Sequence, residues 1–452
     1  MVSQICHTPS WFKYERGLIN EEQVYKAVVP EMNNEYSSET IKKVIETGRS
    51  ALAIQTALME FLQILSKSKR YRLFAMSNIS EPDYAFVQSR FGSTINMLFE
   101  RIFPSYASRD RKPNLSFFQH VLTQIDVSPS QTLLIDDEID NIVAARSLGI
   151  HGFLFKEKYI DKNLRYLFNM CQDDPCNSAI AYLQRHAGQH FSITSEGNEI
   201  KENFSQLLIL EAMRDASLVS YVAHTRLFNF FQDESMALNF PCDIDTTSIG
   251  LTVVDNVSSS VIHSVLDQIL STCLSDDGII QVYFDSHHPR VDPVVCVNAL
   301  SLFYTHGRGH DVHRTEQWVY DVLVHRAYKQ GTRYYNTAEC FLFFLARLLK
   351  RAPAVREKMI SVLWARIEER LANHESDPLV IALRLVAADA IGMTEKTTPH
   401  IAIDLEQLCM LQEADGSWNG GSFMKYGSHN ILISNRGLTT ALAVNAIRAY
   451  RQ

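Results

Sequence analysis

The pattern of hydrophobic and polar positions divides the chain into two parts of different character. Between about residues 70 and 155, short apolar runs alternate with longer amphipathic segments. The strand-like runs are RYRLFAM, QTLLIDD and HGFLF, and the helix-like segments are LSFFQHVLTQI and DNIVAARSLG. This alternation predicts an α/β domain whose parallel sheet presents functional groups at the carboxyl ends of its strands.

After the polar stretch CQDDPCNS at 171–178 the pattern changes. Helix-like segments of about three or four turns follow, separated by Gly, Pro and polar loops, and no run is convincing as a strand. They are NFSQLLILEAMRDA, DPVVCVNALSLFY, TAECFLFFLARLLK, PLVIALRLVAADAI and GLTTALAVNAIRAY. The pattern predicts an all-α domain over 173–452 behind an α/β domain over 1–172.

Composition narrows the class of protein. With 46% hydrophobic and 21% charged residues, the chain is typical of soluble globular proteins. A net charge of −8 argues against nucleic-acid binding. The eight cysteines are scattered without a CxxC pair, so we expect reduced thiols in a cytoplasmic protein. The most apolar segment, CFLFFLARLL, contains Arg347 and is too short to cross a bilayer, and MVSQICHTPSW lacks the features of a signal peptide.

Three short motifs in the first part carry groups suited to phosphate chemistry. Ser77 follows the first strand, Lys112 precedes the next helix, and Asp136 and Asp137 end a later strand. A hydroxyl and an ammonium group can hold phosphoryl oxygens, while carboxylates prefer Mg²⁺. The sequence therefore indicates the outline of a phosphate site at one edge of the sheet.

In this order the motifs resemble the haloacid dehalogenase superfamily over roughly residues 10–160. That resemblance implies a Rossmannoid fold, and SWFKYERGLINEEQVY is similar to the segment entering the family's helical cap. The family's nucleophile is the first aspartate of a DxD that ends an amino-terminal strand, and neither precedes Trp11 here. We expect a domain that lacks its first strand and its phosphatase activity, or a chain that starts downstream of its natural start. Asp136, Asp137, Ser77 and Lys112 would then form a vestigial site.

DDEID at 136–140 also spells DDxxD, the Mg²⁺-binding pattern of class I terpene synthases. That pattern belongs on a helix of an all-α domain, whereas this copy follows a strand. We therefore disfavour the class I interpretation.

The all-α part contains two aspartates in PCDIDTTSIG, Asp243 and Asp245, followed by Thr246 and Thr247. Such a pattern often only caps a helix. Buried among apolar and aromatic residues, however, two neighbouring carboxyls cannot both ionise cheaply, so one proton stays on the pair. A neutral carboxylic acid in a dry pocket is what protonation of an isolated alkene requires.

QEADGSW at 412–418 fits Q-x3-G-x-W, the end of a motif that ties helices together in squalene-cyclase-like barrels. With the DxDTT pattern, it resembles the class II terpene cyclases of the drimane type, which carry a dehalogenase-like domain ahead of one (α/α) barrel. The resemblance implies that Asp245 donates the proton. Asp243 and the hydroxyls of Thr246 and Thr247 would orient it and stabilise its conjugate base.

The same resemblance implies that the substrate is farnesyl diphosphate with Mg²⁺. The product would be a drimane-type diphosphate, drimenyl or albicanyl, on which a separate phosphatase then acts. Cations should hold the diphosphate. The candidates are Lys329 and Arg333 in KQGTRYYN and Lys425 and Arg436 in FMKYGSHNILISNRG, with Arg290 and Arg308 as weaker candidates.

Aromatic faces could stabilise the carbocations that follow protonation. The candidates are Tyr283, Phe284, Trp318, Tyr334, Tyr335 and Trp418. Core packing explains each of them at least as well, and for Trp418 it is favoured. His287 and His288 in YFDSHHPR are candidate bases for the final deprotonation, although such pairs are usually surface residues.

Two other interpretations stay open. The phosphatase-like part could hydrolyse the product, making the chain a bifunctional cyclase and phosphatase that releases a drimane alcohol. Alternatively, the chain could bind prenyl diphosphates without catalysis. Retention of both Asp243 and Asp245 in an apolar setting argues against the second.

Overall fold

The chain folds as two units, unit 1 (Met1–Leu164) and unit 2 (Arg165–Gln452). The computed structural model describes residues 1–68, 71–156, 164, 167, 174–223, 226–255, 257–373, 377–426 and 431–451. The boundary predicted at residues 172–173 lies outside the described residues.

Unit 1 begins with helices and continues as an alternating α/β region. In chain order its elements are α1 (Val2–Cys6), α2 (Pro9–Glu15), α3 (Glu21–Glu31), α4 (Ser38–Ser50), α5 (Thr56–Ser68), β1 (Phe74–Ser77), α6 (Glu81–Leu98), β2 (Arg101–Pro104), α7 (Ser105–Ser108), α8 (Leu115–Ile125), β3 (Leu133–Asp136), α9 (Ile139–Ser147) and β4 (His151–Leu154). Local signals fix the early helix starts. Thr8 caps α2, which has Pro9 at its first position, and Asn20 forms a capping box with Gln23 at α3.

The sheet of unit 1 is split. β1 pairs in parallel with β2, and β3 pairs in parallel with β4, but no hydrogen bonds join the two pairs within the described residues. Helix α8 packs against both, with Phe117 in one hydrophobic cluster and Phe118 in the other. This is the arrangement expected of a Rossmannoid sheet without its first, central strand. The short strand β2, with Arg101 at its start, was not predicted.

Unit 2 is largely helical. Its elements are α10 (Pro175–Arg185), β5 (Ser192–Thr194), β6 (Glu199–Ile200), α11 (Asn203–Met213), α12 (Glu234–Ala237), α13 (Ile244–Val253), α14 (Ser259–Thr272), α15 (Pro293–Thr305), α16 (His313–Val324), α17 (Ala338–Arg351), α18 (Pro353–Glu368), α19 (Pro378–Ile391), α20 (His400–Met410), β7 (Ser422–Tyr426), β8 (Ile431–Ser434) and α21 (Arg436–Arg451).

Six inner helices form a closed ring in this unit. Within the described residues α11, α13, α15, α17, α19 and α21 each pack against the next, and α21 packs back against α11. Of the remaining long helices, α14, α16, α18 and α20 each lie between two inner helices in sequence, and α10 precedes α11. The inner helices run in one direction, because Arg347 near the carboxyl-terminal end of α17 contacts Glu211, Thr252 and Ser301 near the same ends of α11, α13 and α15. Most inner-helix residues are buried, as their nearly continuous apolar sequences predict. The result is the predicted (α/α) barrel.

A small antiparallel sheet covers the amino-terminal ends of the inner helices, in the order β6-β5-β8-β7. The sequence analysis predicted no strands in this part of the chain, and that prediction was wrong. These strands are two to five residues long and lie within loops, so they are too short to show an alternating pattern. An isolated bridge between Tyr335 and Met424 connects the sheet to the loop before α17.

Within the described residues, we find no helix with the length and apolar character needed to cross a bilayer.

Candidate active site

Two buried carboxyls stand at the start of α13. Asp243 is the residue preceding the helix, and its Oδ1 accepts a hydrogen bond of 2.6 Å from the backbone N–H of Thr246. Asp245 lies in the first turn. Asp243 is 5% exposed and Asp245 8%. Asp243 is therefore a helix cap, as the simplest interpretation of the motif predicts, but the cap lies where ionised carboxyls are costly.

Asp245 is held by two neutral donors from neighbouring elements. The amide Nδ2 of Asn298, on α15, donates to Oδ1 at 2.7 Å. The hydroxyl of Tyr335, in the loop before α17, donates to Oδ2 at 2.5 Å. Two successive inner helices, α13 and α15, and the loop before the third, α17, thus converge on one carboxyl group.

Burial raises the pKa of both carboxyls from 3.8 to about 7. For Asp243 the charge of Asp245 adds to the rise, and the backbone and hydroxyl of Thr246 oppose it. For Asp245 the hydrogen bonds from Tyr335 and Asn298 oppose it. Near neutral pH the site can therefore keep a protonated acid whose conjugate base already has two hydrogen-bond donors.

The two threonines of the motif have different positions. Thr246 lines the cavity described below and donates its backbone N–H to Asp243. Thr247 is fully buried, and its hydroxyl accepts from the backbone N–H of Phe228 at 2.9 Å and lies 3.3 Å from the carbonyl oxygen of Phe228. Thr247 therefore connects α13 to the chain at Phe228 and does not contact either carboxyl of the acid pair through a described hydrogen bond.

A cavity of about 280 Å³ lies in front of the two aspartates, under the small sheet. Aromatic side chains dominate its wall. They are Phe204, Phe230, Phe240, Tyr283, Tyr334, Tyr335 and Tyr426. Ring faces of this kind attract cations that have no counter-ion nearby. His288, Arg290 and Lys425 also line the cavity and add polar groups.

The structure thus brings some of the predicted aromatic residues to the cavity and leaves others outside its lining. Tyr283, Tyr334 and Tyr335 contribute to the wall, whereas Phe284 and Trp318 pack against the core elsewhere.

The predicted cations divide in the same way. Lys425 and the weaker candidate Arg290 line the cavity, and Arg290 Nη1 donates to the hydroxyl of Tyr334 at 3.4 Å. Lys329 and Arg333 are exposed and do not line it.

Arg436 and Arg308 have other partners. Arg436 binds Ser417 at 2.6 Å and Asp415 at 3.1 Å. Arg308 binds Asp267 and Asp311. The loops could be found from sequence, but which side chain of a loop faces inward could not.

The two histidines share one carboxylate but differ in position. His288 lines the cavity, and its Nδ1 lies 2.7 Å from Oδ2 of Asp285. His287 lies 2.7 Å from Oδ1 of the same residue and is exposed. Binding at Nδ1 leaves Nε2 of His288 as the nitrogen that can take a proton.

Trp418 is structural in its contacts. It is completely buried, and its indole N–H donates to the carbonyl of Leu408 at 2.7 Å. Gln412 donates to the carbonyls of Pro175 at 2.8 Å and Gly416 at 2.8 Å. Gly416 has a φ of +93°, so the glycine of the motif is required by the turn. The motif connects α20 with α10 and α21.

The sequence analysis missed Asn298, the donor to Asp245. A signal was available, because this amide stands in the middle of DPVVCVNALSLFY, an otherwise apolar helix. A buried amide needs partners, and this one is fully buried and finds Asp245. Phe204, Phe230 and Phe240 were also missed, since nothing local distinguishes them from core residues.

In unit 1 the structure brings Lys112 and Asp136 together. Lys112 Nζ donates to Asp136 Oδ2 at 2.5 Å, and Oδ1 accepts from Asn141 Nδ2 at 2.9 Å and from the backbone N–H of Glu138 at 3.0 Å. Ser77 ends β1 and is half-buried, while Asp137 is exposed.

These residues do not fit a resident magnesium ion. Both oxygens of Asp136 already accept hydrogen bonds, one of them from an ammonium group. No group of three or more His, Cys, Asp or Glu side chains is placed to hold a metal anywhere in the described part of the chain.

Two protein families match this chain. Residues 176–306 match the family described as the sesquiterpene cyclase astC-like C-terminal domain, and residues 10–155 match the haloacid dehalogenase-like hydrolases. The drimenol cyclase drtB of Aspergillus calidoustus is 39% identical over 455 aligned residues, which cover 99% of this chain and 83% of drtB. The sesquiterpene phosphatase astK of Aspergillus oryzae is 31% identical over 33% of this chain and 73% of its own length.

Two kinds of solved structure are similar to parts of the chain. The type II terpene cyclase MstE from Scytonema is 14% identical, covering 62% of this chain and 97% of its own, with a TM-score of 0.45. A haloacid dehalogenase family enzyme from Bacteroides thetaiotaomicron, in complex with magnesium and inorganic phosphate, is 25% identical over 32% of this chain and 74% of its own, with a TM-score of 0.27.

Proposed function

The chain belongs to the family of the drimenol cyclase drtB, with a haloacid dehalogenase-like unit ahead of a class II sesquiterpene cyclase barrel, and from this premise we propose its substrate, product and acid. The substrate is farnesyl diphosphate and the product a drimane-type bicyclic diphosphate, drimenyl or albicanyl. Asp245 is the proton donor. The observation that carries the proposal is a buried carboxyl with two neutral donors at the wall of an aromatic cavity.

The reaction begins with transfer of the Asp245 proton to the terminal alkene. The two remaining alkenes attack in turn, so two rings close and the positive charge moves along the chain towards the end that bears the diphosphate. Tyr335 and Asn298 stabilise the carboxylate left on Asp245 by hydrogen bonding. The aromatic wall stabilises the cations without trapping them covalently.

Arg290 and Lys425 are the cations placed to hold the diphosphate, because both line the cavity. Arginine can bind two phosphate oxygens at once. We expect Mg²⁺ to accompany the diphosphate as its counter-ion, since the described residues offer no cluster that fits a resident ion.

We propose that His288 removes the final proton. The last carbocation centre forms three bonds away from a diphosphate oxygen. The base must therefore lie near the cationic side chains that bind the diphosphate. His288 lines the same cavity as Arg290, two residues away, and Asp285 holds its Nδ1. The proton lost by the substrate goes to Nε2 of His288, and solvent later returns one to Asp245.

A second candidate function is release of the drimane alcohol by unit 1. The name of the relative drtB refers to an alcohol, which favours it. The pairing of Asp136 with Lys112 favours retention of the diphosphate, because this carboxylate is not free to act on a phosphate.

One assay tests these proposals. The purified protein is incubated with farnesyl diphosphate and Mg²⁺, and hydrocarbon-soluble products are analysed with and without added phosphatase. A bicyclic alcohol seen only after added phosphatase supports the retained diphosphate, and one seen without it supports the second candidate. Unchanged farnesyl diphosphate would contradict both.

D245N should abolish cyclisation, and a rate within a few-fold of wild type would refute the assignment of Asp245 as the acid. H288A, with H287A as its control, should change the ratio of double-bond isomers.

A further inference from the structure

A buried arginine joins four of the six inner helices of the barrel. Arg347, on α17, is 7% exposed. Its Nε donates to the carboxylate of Glu211 on α11 at 2.8 and 2.9 Å. Its Nη2 donates to the hydroxyl of Thr252 on α13 at 3.0 Å, and its Nη1 to the hydroxyl of Ser301 on α15 at 3.3 Å.

Two of these helices carry the acid and its donor. Thr252 lies two turns beyond Asp245 on α13, which corresponds to about 10 Å along the helix axis. Ser301 lies one turn beyond Asn298 on α15, about 4.5 Å further along. Any change in how Arg347 holds the two hydroxyls therefore acts on the helices that set the distance between Asp245 and Asn298.

Arg347 also lines a second cavity of the barrel. A basin of about 1140 Å³ occupies the carboxyl-terminal ends of the inner helices, and Arg347, Glu211 and Thr252 line it. Exposed cations on its wall, Arg214, Lys350 and Arg448 among them, show that it faces solvent. Among the described residues, none lines both this basin and the acid cavity.

Arg347 keeps its positive charge in an ion pair, and this charge affects the pKa of Asp245. Burial raises the pKa of Glu211, but Arg347 and Arg351 outweigh that effect and lower it, so the ion pair persists. Burial lowers the pKa of Arg347 itself, and Glu211 opposes this. Against the effect of burial, the positive charge of Arg347 lowers the pKa of Asp245, whereas Asp292 raises it.

We propose that Arg347 is a positioning residue for the acid: it fixes α13 and α15, and with them Asp245 and Asn298. From the wall of the solvent-facing basin it also holds these helices together, which keeps water from passing between them towards the acid. Its cation also favours loss of the proton from Asp245. The inference rests on the proposed function in taking Asp245 as the acid. Arg347 touches neither the substrate cavity nor the reacting atoms.

The test is R347M, which removes the charge and the hydrogen bonds but keeps much of the side-chain length. R384M is the matched control. Arg384 is 2% exposed on the neighbouring inner helix α19 and pairs with Asp404 at 3.4 Å, but it has no bond to α13 or α15 among the described contacts. Measured for each are kcat and KM with farnesyl diphosphate, the share of hydroxylated products from water capture, and the thermal midpoint.

For R347M we expect kcat to fall by about tenfold to a hundredfold, with KM within twofold and more hydroxylated product. R384M should lower the thermal midpoint and leave kcat and products unchanged. If R347M does not fold, E211M/R347M replaces the whole ion pair by apolar side chains, an exchange that buried pairs often tolerate, and carries the same expectation. Normal kcat and products in a folded Arg347 variant, or failure of both variants to fold, would reduce Arg347 to a structural residue. A wild-type protein without cyclase activity would instead refute the proposed function.

Discussion

At the scale of single residues, the acidity of the Asp243 and Asp245 pair is the property most open to measurement. Burial raises the pKa of both carboxyls to about 7, well above their value in an unfolded chain. The protonated form is therefore favoured in the fold, and stability conferred by it is present at low pH and lost as pH rises from about 4 to about 7.

Catalysis should follow the same protonation, because only the protonated pair can donate. We expect kcat to decline by up to tenfold per pH unit above about pH 7, from the pKa of about 7. In parallel, the free energy of unfolding of D245N should increase relative to that of wild type as pH is raised from 5 to 8, as measured by denaturant unfolding. A flat rate profile to pH 9 would show that the acid is not this carboxyl.

The residues proposed to bind the diphosphate allow the choice made from sequence to be compared with the choice made from structure. R290A should raise KM for farnesyl diphosphate by about tenfold or more, since an arginine–phosphate contact is a charge-assisted hydrogen bond. R333A should leave KM unchanged, because Arg333 is exposed and does not line the cavity. Equal effects of the two substitutions would contradict this assignment, as would an effect of R333A alone.

The DxDTT motif could be found from sequence because burying two ionisable carboxyls costs free energy, so their presence in an apolar helix indicates a function. Asn298 was missed although its amide stands out in an otherwise apolar helix. Arg290 was ranked too low because its role depends on which face of its loop turns inward. That choice is made by long-range packing, so no local pattern records it. Of the predicted aromatic residues, those near Asp243 in the fold, such as Tyr283, reached the cavity.

At the scale of elements, the long helices were predictable and the short strands were not. The helix segments of the barrel match α11, α15, α17, α19 and α21 to within a few residues. The covering sheet is held by pairing between distant loops, for example Ile193 with Ser434, which a local pattern cannot show.

The turn that contains Trp418 should matter for stability and not for chemistry. W418F removes the indole donor and leaves the backbone N–H of Leu411 as the remaining donor to the carbonyl of Leu408. The lost hydrogen bond costs about 1 kcal/mol in the free energy of unfolding. The lost ring volume adds to this cost. Denaturant unfolding measures the change, and kcat of the folded fraction should stay within twofold. A large drop in kcat at unchanged stability would place Trp418 in the site.

At the scale of the whole molecule, the two-part organisation followed from the change in periodicity, and both family matches confirm the two fold classes. What the sequence could not show is how the strands of unit 1 pair. In the described residues they form two separate pairs held by α8, and Lys112 binds Asp136 directly.

The phosphorylation state of the product tests unit 1 as a whole. D136N should leave that state unchanged, with the diphosphate retained in variant and wild type, because Lys112 already occupies this carboxylate. The substitution should lower the stability of unit 1 by leaving a buried ammonium group without its counter-charge. If wild type releases an alcohol and D136N does not, unit 1 is an active hydrolase.

The common direction of the six inner helices has an electrostatic consequence. Aligned peptide dipoles make the amino-terminal end of the ring its positive pole and the carboxyl-terminal end its negative pole. The negative pole is partly neutralised by cationic side chains that line the basin, which are Arg214, Lys350, Arg351 and Arg448. The acid cavity lies at the positive pole, where an anionic head group is attracted and a carboxylate left after proton loss is favoured. The helix dipoles therefore favour an approach of the isoprenoid substrate with its anionic head group towards the acid cavity, before any side chain contacts it.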